Sequence, residues 1–127
     1  MRRSAQATAS EESAVLMVSR ITPRQVVARM SRREPVAFVD ARGDGSWQAS
    51  AEQVVGAVRV RLPTLVRDST RVARGCPVIV YGADDHDAEV ARVADELRML
   101  GFAQVKILAG GFAAWREQHG ALQEKDA

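Results

Sequence analysis

The sequence predicts an α/β fold, a central and mainly parallel sheet of about five strands covered by helices on both faces. Three observations carry that expectation. Short apolar runs rich in β-branched residues recur along the chain, as in Val36–Ala37–Phe38–Val39 and Val78–Ile79–Val80–Tyr81. Such runs between turn signals are strands buried on both faces. Segments with apolar residues at helical spacing lie between them, most clearly Val90, Val93, Ala94, Leu97 and Leu100. The two kinds of segment alternate, which is the order of a parallel sheet with crossover helices.

Taken in order, residues 1–13 are Ser, Ala, Gln and Glu without periodicity and read as a disordered tail, followed by a domain over residues 14–121 and a polar tail over 122–127. Val15–Val18 is read as a first, peripheral strand. Thr22–Pro23 opens a helix, with a hydroxyl at the N-cap and proline at the first position, and that helix ends near Arg32–Arg33. Pro35–Asp40 is a central strand. Ala41–Gln53 is a loop with a helical turn around Trp47, Gly56–Val60 restarts a short strand, and Pro63–Val72 holds a weak helix. The strand Val78–Tyr81, the loop Gly82–Asp87 and a helix capped at Gly101 follow. Val105–Leu108 is the next strand. Gly110–Gly111 then turns into a last helix that buries Phe112 and Trp115 and ends at Gly120.

Composition narrows the function. A net charge of +2 with scattered basic residues does not call for nucleic acid, and no run reaches the length of a membrane span. Arg59, Arg61 and Arg67 are expected to lie on a solvated face. The one cysteine, Cys76, excludes an internal disulfide and a cysteine-based zinc cluster. No export signal is evident in the first residues, so the expected location is the cytoplasm. No cofactor is expected.

The loop Gly82–Asp87 sits where open α/β sheets bind ligands, at the carboxyl end of a strand ahead of a helix. It reads Gly82–Ala83–Asp84–Asp85–His86–Asp87, with Ala88 behind it. Capping of the following helix explains the aspartates without a ligand. The competing readings are a divalent cation held by Asp84, Asp85, His86 and Asp87, and acid–base work by His86. His119 is read as a surface residue, and Trp47 and Trp115 as core or cover residues.

The signposts Asp40–Ala41–Arg42, Gly56–Ala57, Leu100–Gly101–Phe102 and Leu108–Ala109–Gly110–Gly111–Phe112–Ala113–Ala114–Trp115 come in an order that resembles the rhodanese-like domain, over Ile21 to about Gly120. The resemblance implies a three-layer α/β/α fold and a sulfur-transferring cysteine directly after the buried strand. There the loop N–H groups and the helix N-terminus stabilise a thiolate or persulfide. In this chain that position is Gly82, and the loop holds neither cysteine nor arginine. Cys76 lies at the other end of the strand, roughly 17–20 Å away at about 3.3 Å per residue, and is expected to be a buried structural thiol. Glu52–Gln53–Val54–Val55 replaces the Gly-His that the family places before its Gly-Ala pair. Asp40 and Arg42 match and are read as structural. The implied function is a catalytically inactive rhodanese-like module with an interaction or regulatory role. The alternative is a thiosulfate or persulfide sulfurtransferase with other loop chemistry.

Overall fold

The computed structural model describes residues 18–125. Five parallel strands form the central sheet: β1 (Arg20–Ile21), β2 (Ala37–Asp40), β4 (Val58–Arg59), β5 (Val78–Tyr81) and β6 (Val105–Leu108), in the spatial order β1-β6-β5-β2-β4. The remaining strands, β3 (Glu52–Val54) and β7 (Leu122–Glu124), pair antiparallel as a separate ribbon. Helices α1 (Pro23–Ser31), α2 (Asp44–Ala49), α3 (Leu65–Ser69), α4 (Val90–Met99) and α5 (Gly111–Glu117) complete the elements of the described residues, with a 3₁₀ turn at Leu62–Thr64 ahead of α3.

Period-two alternation divides the sheet's side chains between two cores. Val39, Val78, Val80, Val105 and Ile107 pack against α3 and α4 through Leu65, Val90, Val93, Ala94 and Leu97. Phe38, Ile79, Tyr81 and Leu108 pack on the other face against Val26 of α1 and Phe112 and Trp115 of α5. The predicted three layers are present, and all four residues of β5 are buried, as its unbroken apolar run requires.

The helix ends follow their sequence signals. Thr22 caps α1 in a reciprocal capping box with Gln25. Gly101 ends α4 at φ 95°, where its N–H donates to Arg98 and that of Phe102 to Leu97, satisfying two terminal carbonyls. Helices α1 and α5 close with the same pair of bonds but place Arg33 and His119 in the left-handed conformation, at φ 59° and 58°. The last helix therefore stops at Glu117, ahead of Gly120.

Residues 1–13 and most of the run Val15–Val18 lie outside the described residues, and the first described strand is Arg20–Ile21. The helical turn expected around Trp47 is present as helix α2, whereas three other expectations are corrected: Glu52–Val54, expected as loop and, at Val54, as interstrand chain, is strand β3. Residues 122–124, expected in a polar tail, are strand β7. That strand forms because β3 offers it an antiparallel edge and because Trp115 donates its indole N–H to Ala121 at 3.0 Å, fixing the approach. Cys76 is half-buried beside the start of β5, outside the core.

Candidate functional site

The sheet order makes its switch point between β2 and β5. From β2 the chain continues outward to β4, and from β5 it crosses the other way to β6. The loops leaving β2 and β5 therefore part at their carboxyl ends and open the crevice in which such sheets bind ligands.

Beneath the crevice lies a buried polar cluster. Asp40, at the end of β2, is 1% exposed and Arg42 is 2% exposed. Arg42 donates to the Asp40 carboxylate through Nε at 3.1 Å and Nη2 at 2.8 Å, and through its backbone N–H at 3.1 Å. Its Nη2 also donates to the carbonyl of Glu52 at 2.9 Å, and its guanidinium lies 4.3 Å from the centre of the Phe112 ring. Tyr81 donates its hydroxyl to Asp40 at 2.7 Å and accepts the N–H of Val54 at 3.1 Å. Burial, reinforced by the neighbouring Asp40 charge, pushes the Tyr81 phenol well above its ordinary range. The cluster ties β2, β5, β3 and α5 together at the floor of the crevice. Asp40 is sealed from solvent, while Arg42, although only 2% exposed, lines the cleft beside the loop together with Glu52 and Phe112.

The loop above it is closed on itself. Asp87 directs Oδ2 across the crevice, accepting the N–H of Ala83 and the N–H of Gly43, both at 3.2 Å. Asp84 accepts the N–H of His86 at 2.8 Å. Asp85 accepts the N–H of Gly110 at 2.6 Å and pairs with Arg20 of β1 at 2.9 Å. The carbonyls of Gly82 and Ala83 accept the N–H groups of Phe112 and Ala113 at the start of α5. Gly111 permits this approach, because a Cβ there would lie 2.6 Å from the Gly82 carbonyl oxygen.

None of the aspartates caps α4. Two turn residues, Ala88 and Glu89, separate them from the helix, and its N-cap position, Glu89, makes no side-chain bond to it. The capping explanation is thus replaced by one in which each carboxylate satisfies loop N–H groups. Asp84, Asp85 and Asp87 face different partners and His86 is exposed. Among the described residues, no group of three or more His, Cys, Asp or Glu side chains could hold a metal ion.

Gly82 is buried and crowded. A Cβ at this position would lie 2.4 Å from Val90 Cγ2 and 2.6 Å from Asp87 Cβ. The volume a nucleophilic side chain would need is taken by Val90 and by the carboxylate-bearing side chain that holds the Ala83 N–H. Two shallow clefts flank the loop. One, of about 210 Å³, is lined by Arg20, Asp84, Asp85, Asp87 and Val90. The other, of about 510 Å³, is lined by Ser50, Glu52, Ala83, Phe112 and Arg116.

Several of these residues carried no signal in the sequence. Arg20 reaches the loop from β1, and Tyr81 is indistinguishable in the sequence from the apolar strand it ends. Arg59 and Arg61 do not form a free basic face: both bind Asp44, at 3.0 and 2.8 Å, and the Arg61 bond holds the Asp44 carboxyl below its usual range. Arg67 pairs with Asp68 instead. Trp47 covers the outer edge, with the Lys125 ammonium 3.8 Å from one of its ring centres.

A parallel five-stranded sheet with helices on both faces and a loop leaving β5 at the switch point defines the class, a three-layer α/β domain. The particular family follows from comparison with known proteins: residues 22–118 match the model of the rhodanese-like domain, and the chain belongs to that family. No curated protein matches it. The rhodanese-like domain of the Alr3790 protein from Anabaena sp. is 26% identical over 84% of this chain and 79% of its own, with a TM-score of 0.67. The BH2092 protein from Bacillus halodurans is 17% identical over 98% of this chain and 87% of its own, with a TM-score of 0.70. A protein of unknown function from Rhodopseudomonas palustris, described as a possible tyrosine phosphatase, is 19% identical over 88% of this chain and 89% of its own, with a TM-score of 0.65. At these last two identities the likeness is one of fold. No helix among the described residues is long and apolar enough to cross a membrane.

Proposed function

We propose that this chain is a rhodanese-like module without sulfur-transfer chemistry, which works by binding a protein partner. One observation carries the reading. Gly82 stands at the family's nucleophile position, and Asp87 and Val90 fill the space a side chain there would occupy. An anionic persulfide or phosphate needs free N–H donors, and the Ala83 N–H is already bonded to a carboxylate. Like charge opposes an incoming anion further, since Asp84 and Asp87 line the adjoining cleft and its one cation, Arg20, is already paired with Asp85. Cys76 lies at the opposite end of β5 from the loop, and no other thiol is present in the sequence.

The purified chain is expected to turn over neither thiosulfate with cyanide nor p-nitrophenyl phosphate above a heat-denatured control. The second substrate matters because of the R. palustris relative's description. Turnover of either would overturn the reading. Treatment with a persulfide donor, followed by mass spectrometry, addresses the sulfurtransferase alternative: a stable persulfide on Cys76 would favour a sulfur carrier over a binding module.

A further inference from the structure

We propose that the groove between α1 and the β1–β6 edge of the sheet docks an acidic segment of a partner protein. This rests on the binding-module reading and names the chemistry of the partner. The groove encloses about 320 Å³ and is lined by Arg20, Arg29, Arg32 and Lys106, with Ile21 and Ala28 as its apolar part. Ala28, Arg29 and Arg32 stand at i, i+1 and i+4, so one side of α1 presents both guanidinium groups to it. From Thr22 to Arg33 the chain carries four arginines and no carboxylate. The impression that the basic residues are scattered is corrected here by the fold, which brings Arg20 and Lys106 beside this helix.

Pairing separates these cations into two kinds. Arg20 and Arg32 are exposed and bonded to Asp85 and Glu34, both at 2.9 Å, exchangeable surface pairs of small net worth. Arg29 and Lys106 are half-buried. Lys106 donates to the neutral hydroxyl of Ser19 at 3.1 Å, and among the described residues no carboxylate pairs with either side chain. A partly desolvated cation without a counter-ion is costly, and an incoming carboxylate offsets that cost. No aromatic residue lines the groove, so nucleic-acid bases find nothing to stack on. Alongside a nine-residue helix, about 13–14 Å at 1.5 Å per residue, it accepts roughly four extended residues. That is a peptide-sized stretch with room for two carboxylates and an aliphatic side chain over Ile21 and Ala28.

The test uses the full chain with fluorescein-labelled hexaglutamate, read by anisotropy at low salt. A labelled single-stranded oligonucleotide runs in parallel. The variant Arg29→Glu/Lys106→Glu is compared with the charge-matched control Arg67→Glu/Arg98→Glu, whose sites lie on α3 and α4 across the sheet. Arg29→Gln/Lys106→Gln serves as a milder version should the reversal unfold the chain. Expected are hexaglutamate binding, at least about a tenfold loss in the groove variants, and less than about twofold change in the control. Three results overturn the proposal: no binding at millimolar peptide, equal loss in the control, or oligonucleotide binding as tight as hexaglutamate with the same sensitivity to the groove variants. Sulfur-transfer assays on the same samples keep the two ideas apart. Turnover removes the binding-module reading while leaving a groove that binds, whereas lost groove binding without turnover removes only the groove.

Discussion

Two polar assemblies lie one above the other at the switch point, and they are built on opposite terms. The lower one, Asp40, Arg42 and Tyr81, is buried, and its charges are met by several convergent donors and acceptors. The upper one, Asp84 to Asp87, is exposed or half-buried, and its carboxylates mostly accept backbone N–H groups, close at hand for Asp84 and across the crevice for Asp87. A buried ion pair costs desolvation and holds only while complete. An exposed carboxylate on a loop N–H costs little and can be replaced by water. The lower assembly therefore fixes strand ends, β3 and α5 in place, while the upper one closes the loop after β5 on its own N–H groups.

The sharpest break in this contrast is Arg42→Ala. It removes the bidentate partner of the buried Asp40 carboxylate, leaving only the backbone N–H of position 42 at 3.1 Å, the Tyr81 hydroxyl at 2.7 Å and Arg59 Nη1 at 4.0 Å, and a loss of up to about 3–5 kcal/mol in denaturant unfolding is expected. An equivalent change above, Asp84→Ala, is expected to cost under about 1 kcal/mol. If the two costs were equal, the contrast would fail.

Next in size is Gly82→Cys, which forces a Cβ against Asp87 and Val90. Overpacking of this kind costs about 1–3 kcal/mol, and part of it should return in Gly82→Cys/Asp87→Gly. The double variant also frees the Ala83 N–H, so its thiol is expected to titrate below the ordinary value of about 8.5, read by iodoacetamide alkylation against pH. Additive stability losses would show that Asp87 does not occupy the site.

Tyr81 offers a pH-dependent probe of the lower assembly, because it is the sequence's one tyrosine. Its phenol is raised in the folded state by burial and by Asp40. The folded chain therefore holds that proton more tightly than the unfolded one, so the contribution to stability is complete below the unfolded value of about 10 and is lost as pH rises above it. Phenolate absorbance is expected to appear only with unfolding, and Tyr81→Phe, which leaves the Val54 N–H unmet, should cost roughly 1–3 kcal/mol. Reversible ionisation near pH 10 in folded protein would contradict the burial.

The smallest effect lies away from both assemblies. His119→Gly, at φ 58° in the turn after α5, should raise stability by about 0.5–1 kcal/mol by removing left-handed strain, measurable as a small rise in Tm.

What could be read from the sequence was whatever has a local cause. The strand Val78–Tyr81 needed only its apolar run, and the end of α4 needed only Leu100–Gly101–Phe102. The position of the loop followed from the strand and helix on either side of it. Strands β3 and β7 were hidden because Glu52–Gln53–Val54 and Leu122–Gln123–Glu124 are three residues each, with little apolar alternation, and exist through pairing with one another. The loop's chemistry was half legible. A glycine at position 82 is plain in the sequence, but the use of Asp87 depends on Gly43, which only the switch-point geometry brings within 3.2 Å. Reading Asp84–Asp87 as helix caps failed because the turn at Ala88–Glu89 holds them away from α4. The basic groove has no local cause either, since Arg20 and Lys106 meet only through the pairing of β1 and β6.

The Asp87 contact also sets a concentration scale. Its carboxylate is tethered to the loop whose N–H it occupies, so it competes with any dissolved anion as though present at millimolar concentration or above. Free anions at micromolar levels do not displace it by mass action. A ligand that enters this crevice has to bring enough contacts elsewhere to outweigh a competitor that never diffuses away.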